Sequence, residues 1–288
     1  MSTTQNLVLA GIDGSSLSDA VCDYAAWIAN KVEAPLKLLH TIDHHPEHAD
    51  HTDITGNIGV DSRDHLMDEL TQLEQQRSKL RLQQGKQLLQ AAKQRVELAG
   101  FANPITNQRH GSLVESLIEL EHAIRVLVIG VRGKVHENQP DKIGAKLESI
   151  IRSLHKPILV VNAEFKAPER IMLAYDGSPA AEKALDMVAT SPLYQGLTCH
   201  LVCVSQDEGK GQLLEVAANK LKLAGDIEVI AQKLTGKPEQ VLCDYQDQHA
   251  IDMTVMGAFG HTRIHDWLLG SFTVRMLTHS QKPLLLLR

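Results

Sequence analysis

The sequence predicts an α/β protein of two tandem, doubly wound domains, each on a five-stranded parallel sheet. Three observations carry that expectation. An apolar strand-like run, then Asp-Gly-Ser, then an amphipathic helical pattern occurs twice, as LVLAGIDGSSLSDAV from Leu7 and IMLAYDGSPAAEKAL from Ile171. Short Val/Ile/Leu-rich runs alternate with helical periodicity through both halves, as strands covered on both faces require. A glycine turn follows the fourth such run of each half.

Taken in order, the elements of the two copies keep register. Asp13 pairs with Asp176, and Thr41, closing PLKLLHT, pairs with Val204, closing CHLVCV, both at an offset of 163 residues. Further on, RVLVIGVRG matches DMTVMGAFG with Gly133 opposite Gly260 at an offset of 127, and HKPILVV matches QKPLLLL with Pro157 opposite Pro283 at 126. The first copy therefore carries about 36 extra residues between Thr41 and Gly111. We place them at about 43–80, ahead of and within a Gln/Leu-rich helical pattern from about His65 to Ala99. The second copy has there only a short helix near Gln212 to Ala224. The polar stretch NAEFKAPER, with Pro168, reads as the connection, giving domains at 1–162 and 163–288.

Composition excludes several classes. A formal net charge of −6 and a pI near 6.2 argue against an electrostatic grip on nucleic acid or an anionic membrane. The N-terminal MSTTQN lacks the basic start of an export signal, and the run Leu284 to Leu287 is far shorter than the roughly 20 residues of a membrane span, so a cytoplasmic location is expected. Cys22, Cys199, Cys203 and Cys243 form no CxxC pair and read as reduced thiols. His44, His45, His48 and His51 gather in HHPEHADH, but beside Pro46 and without a scaffold they read as a solvated loop, and no metal site is expected.

The glycines point to chemistry. In the second copy Gly257, Gly260, Gly270 and Ser271 form G-x2-G-x9-G-S, with Gly270-Ser271 opening the helical segment SFTVRMLTHS. Glycine lets a backbone approach phosphate closely, and the free N–H groups and dipole of a helix start favour an anion. Ser271 adds a hydroxyl or caps the helix. Such glycines also serve tight turns, and Asp176 also reads as an Asx-turn or capping residue. Position favours the ligand reading: in a doubly wound sheet the segments after strands one, two and four face one crevice at the strands' carboxyl ends.

Together, the strand-one Asp, the GxxG turn with its later Gly-Ser and the closing Lys-Pro-apolar strand make both halves resemble the universal stress protein family in its double-domain form. That resemblance implies Rossmann-like domains with strand order 3-2-1-4-5. It implies ATP as ligand, with Mg as a companion ion, Asp176 against the nucleoside, the main chain at Val204 reading the adenine edge, and Gly257, Gly260, Gly270 and Ser271 on the phosphates. It also implies an internal pair of like domains meeting through PILVV and PLLLL, with a further homodimer and an unidentified protein partner left open.

The weaker N-terminal counterpart is Asp13, Thr41, Gly130, Gly133 and Gly144. Ten residues rather than nine separate Gly133 from Gly144, and Ala145 replaces the hydroxyl residue. Arg132, Lys134, Lys142 and Lys146 offer compensating charge or a solvated face. This copy is expected to bind nucleotide weakly or not at all.

No GxxxxGK[ST], GxGxxG, GxSxG or HExxH occurs, and His261, His265 and Asp266 in the x9 loop read as surface residues. The leading expectation is therefore a stress-associated ATP-binding regulatory module without a catalytic residue. The alternatives are a slow ATP hydrolase or nucleotidyl-transfer enzyme using Asp176 or His261, and a nucleotide-free scaffold. For the inserted helix, with Leu66, Leu70, Leu73, Leu80 and Leu88 on one face, packing on its own domain is expected.

Overall fold

The computed structural model describes residues 6–42, 60–133, 144–258 and 270–288, side chains of 60–68 and 145 apart. The histidine cluster, Lys134, Lys142, Gly260, His261, His265, Asp266 and the side chain of Leu66 lie outside the described residues.

The first half runs β1 (Leu7–Gly11), α1 (Ser18–Lys31), β2 (Leu36–Ile42), α2 (Val60–Leu98), β3 (Ile105–His110), α3 (Leu113–Leu120), β4 (Ile124–Gly130), α4 (Ala145–Ser153) and β5 (Ile158–Val161). The second repeats it as β6 (Arg170–Ala174), α5 (Pro179–Thr190), β7 (Thr198–Val204), α6 (Lys210–Ala224), β8 (Glu228–Leu234), α7 (Pro238–Gln248), β9 (Met253–Gly257), α8 (Ser271–His279) and β10 (Leu284–Leu287).

Each half has the strand order 3-2-1-4-5, but the two sheets are not separate. They join edge to edge into one ten-stranded sheet, β3-β2-β1-β4-β5-β10-β9-β6-β7-β8. Every pairing is parallel except the seam, where β10 runs antiparallel to β5 with Leu284 opposite Val160, Leu285 opposite Leu159 and Leu286 opposite Ile158. All eight residues of β5 and β10 are buried. The seam hides two strand edges that would otherwise be open to pairing with another chain.

Alternation along the strands feeds two core layers. Val8 and Ala10 face α1 and the C-terminal part of α2, whereas Leu7 and Leu9 face α3 and α4. The connection is fixed to both halves: Tyr24 of α1 stacks edge-on against Phe165 with centroids 4.8 Å apart, and Lys166 pairs with Asp252 at 2.6 Å.

The inserted helix departs from expectation. Its C-terminal part packs as an ordinary layer helix through Leu89, Ala92 and Val96, and Leu88 lies under Gly14 as Leu213 of α6 lies under Gly177. Gly85 lets this part approach the sheet: a Cβ there would stand 2.7 Å from His40 and collide with Gln108. Farther toward its start, Leu70, Leu73 and Leu80 are 47%, 52% and 55% exposed, so that face is not packed on its own domain. At 1.5 Å per residue the 39-residue helix is about 58 Å long, longer than the strand layer it covers.

Candidate functional site

The second half holds a cavity of about 530 Å3 at the carboxyl ends of its strands. β6 contributes Ala174, with Tyr175 and Asp176 following, β7 contributes Val202 and Val204, and β9 contributes Met256 and Gly257. α7 adds Pro238, Glu239 and Leu242, and Gly270 with the first turns of α8 adds Ser271, Phe272, Thr273 and Arg275. Five of the six residues expected at this site, Asp176, Val204, Gly257, Gly270 and Ser271, thus line one crevice, and the sixth, Gly260, lies outside the described residues.

Local rules place each of them. Asp176 follows β6 and is exposed; one carboxylate oxygen accepts the Ser178 N–H at 2.8 Å, an Asx-turn, and its carbonyl accepts from Lys210 Nζ at 2.6 Å. Gly177 takes φ +77° within that turn. The cap of α5 is not Asp176 but Ser178, whose hydroxyl accepts the Ala181 N–H at 3.2 Å ahead of Pro179. Val204 ends β7 half-buried.

Gly257 has a packing role. A Cβ on it would lie 2.7 Å from Ala180 Cβ and 3.2 Å from the Ala180 carbonyl carbon, so glycine lets α5 rest on the end of β9. At the other end of the motif, Gly270 is the N-cap of α8 at φ −57°, ψ 139°, with no side-chain cap and, among the described residues, no atom within 4 Å of a Cβ. Ser271 is therefore the first helical residue rather than the cap. The first turn of this nine-residue helix, where N–H groups lack intrahelical partners, lines the cavity. Buried Thr273 anchors it, its hydroxyl donating to the Ala258 carbonyl at 2.5 Å.

Sequence reasoning missed Glu239 and Arg275. Arg275 Nη1 donates to Glu239 Oε1 at 2.5 Å across the cavity wall, with 52% and 17% of the respective side chains exposed. The hydrogen bond from Arg275, aided by Glu239's own backbone N–H, holds the carboxyl below the ordinary glutamate range. A signal existed: Glu239 follows Pro238 in a helix's first turn, and Arg275 lies one turn beyond Ser271.

In the first half Asp13 is likewise an Asx-turn residue, accepting from the Ser15 N–H at 3.0 Å and from the Ser18 hydroxyl at 3.2 Å. The glycine turn reaches it: a Cβ on Gly133 would stand 3.0 Å from Asp13 Oδ2. Thr41 is half-buried near the end of β2, Gly130 closes β4, and Gly144 caps α4 at φ −60°, ψ 131°. At the places of Glu239 and Arg275 this half carries Val114 and Ser149, so no such ion pair is formed there.

Cys22, Cys199 and Cys203 are buried and Cys243 half-buried, all unpaired; burial pushes Cys22 and Cys199 up to about 12 and Cys243 up to about 11, the state of inert thiols. Among the described residues no cluster suits a metal ion and no helix is long and apolar enough to cross a membrane.

The universal stress protein family model matches residues 6–162 and again 168–288. A relative from Synechocystis sp., universal stress protein Slr1230, is 33% identical over 285 residues, covering 98% of this chain and 99% of its own. One from Mycolicibacterium smegmatis is 22% identical over the whole of this chain and 98% of its own. The crystal structure of a universal stress protein from Archaeoglobus fulgidus superposes with a TM-score of 0.73 at 21% identity, over 99% of this chain and 98% of that one. With two tandem matches, a full-length relative and the repeated 3-2-1-4-5 sheet in agreement, this chain belongs to the universal stress protein family.

Proposed function

We propose that the chain is an ATP-binding regulatory module whose second half holds the nucleotide. One observation carries this reading: a carboxylate, a strand end and the uncapped start of a helix, from three distant segments, border the same cavity of about 530 Å3. Its volume falls in the range of small-molecule sites, roughly 300–1,000 Å3. In this reading α8's N–H groups and Ser271 hold phosphate, Asp176 meets the ribose, the main chain at Val204 meets the base, and Mg accompanies the phosphates.

Among the described residues that line it, the site offers anion donors and no nucleophile paired with a base, which favours binding over turnover. The first half is the weaker binder, since Ala145 brings no hydroxyl to the start of α4. The test is calorimetric titration with ATP plus mass spectrometry of nucleotide released from the purified protein, on wild type and Gly270→Val. Valine suits φ −57° and meets no described atom, so the variant is expected to fold while phosphate approach is blocked. Binding near one per chain in wild type and its loss in the variant are expected; a wild type that neither carries nor binds adenine nucleotide would sink the reading.

A further inference from the structure

The wall of the cavity already contains an anion. Glu239, 17% exposed, occupies the guanidinium of Arg275 at 2.5 Å, and Arg275 stands on the same helix as Ser271, one turn in. The two partners are not equally dependent on each other. Glu239 is in the first turn of α7, where the helix start and Lys237 also favour negative charge, whereas among the described residues Glu239 is the acid bonded to the Arg275 guanidinium, whose side chain remains 52% exposed. A strong anion at the start of α8 competes for the guanidinium, because phosphate and carboxylate accept from the same donor fork.

We infer that Glu239 and Arg275 form a charge-threshold latch, in which a ligand's phosphates must displace Glu239 to take Arg275, so that the site grades adenine nucleotides by phosphate charge. This rests on the nucleotide-binding reading above. Adenosine leaves the latch shut and gains nothing from Arg275. Each further phosphate bids harder for the guanidinium, and Glu239, still held by α7, swings aside without losing all compensation. The first half, with Val114 and Ser149 at these places, has no such grading.

The test is calorimetric titration with adenosine, AMP, ADP and ATP on wild type, Glu239→Gln and Arg275→Gln, with melting curves to confirm folding. Glu239→Gln is expected to tighten ATP by about fivefold or more and adenosine by less than about twofold, because a competing charge has gone. Arg275→Gln is expected to weaken ATP about tenfold, the scale of one charge-assisted hydrogen bond, and to leave adenosine unchanged. Should either variant melt early, Glu239→Ala and Arg275→Lys repeat the ladder, the lysine keeping charge but losing the fork. Ladders that shift equally for all four ligands, or not at all, overturn the latch while leaving nucleotide binding in place. A wild type that binds none of the four overturns both.

Discussion

Lys166 Nζ stands 2.6 Å from Asp252 Oδ1, across the point where the connecting segment meets the second half. Asp252 is nearly fully buried, and its other oxygen accepts the N–H groups of Glu169 and Arg170, each at 3.0 Å. Burial alone would raise this carboxyl; the Lys166 bond and the two N–H groups outweigh it and hold it below the ordinary range. The unfolded state then binds more protons than the native state once pH nears the free aspartate value of about 3.9, so the contribution is full above that and lost as pH falls. Asp252→Asn should flatten the acid limb of a denaturant-derived stability profile between about pH 5 and 3. An unchanged acid limb would exclude the role.

His200 supplies a second pH dependence of the same direction from a different cause. It is buried on β7, its Nδ1 lies 2.9 Å from the Tyr245 hydroxyl, and His249 stacks on Tyr245 at 4.0 Å. Burial, then the neighbouring His249 and Arg170, lower its pKa. Nδ1 and the Tyr245 hydroxyl share one hydrogen bond, with the donor set by the ring's tautomer. As pH falls below the free histidine value of about 6.5 the unfolded state takes a proton the native state refuses, so stability drops. Urea unfolding at pH 7.5 and 5.5 should show a smaller difference in His200→Gln than in wild type.

Gly257 and Gly270 separate packing from ligand approach. Gly257→Ala places a methyl 2.7 Å from Ala180 Cβ and is expected to cost about 1–3 kcal/mol, read as a lowered melting temperature without any ligand. Gly270→Ala should leave that temperature within error. If Gly257→Ala melts like wild type, α5 has room to retreat.

The seam should make the halves unfold together. Leu285 is buried opposite Leu159, and Leu285→Ala is expected to lose about 2–5 kcal/mol. Scanning calorimetry should give one transition for wild type and two, or one much broader, for the variant. Two transitions in wild type would show that the seam does not couple the halves.

Much of this was legible in the sequence because chain order maps onto strand order in a doubly wound sheet. Asp176, Val204 and Gly257 stand at the ends of the first, second and fourth strands of one half, and that alone put them on one edge. The Lys-Pro-apolar strands were also readable, since Ile158 and Leu284 begin runs too apolar to lie open. What escaped was rotational. Whether Arg275 turns toward Glu239 depends on how α8 rolls on the sheet, and two residues on different helices leave no periodic trace. The packing role of Gly257 escaped because a glycine's neighbour, here Ala180, is invisible until the helix is placed. The apolar stripe of Leu70, Leu73 and Leu80 has the period of a packed face, yet the body ends before reaching it.

The antiparallel junction of β5 and β10 also changes what dilution can do. Two separate subunits meeting edge to edge come apart as concentration falls, whereas halves joined through the short connection from Asn162 to Glu169 keep each other at an effective concentration on the order of millimolar. The pairing thus persists at any abundance of the protein. It also always brings one intact glycine motif together with one altered one, so the unlike pair arises without two genes having to be expressed in balance.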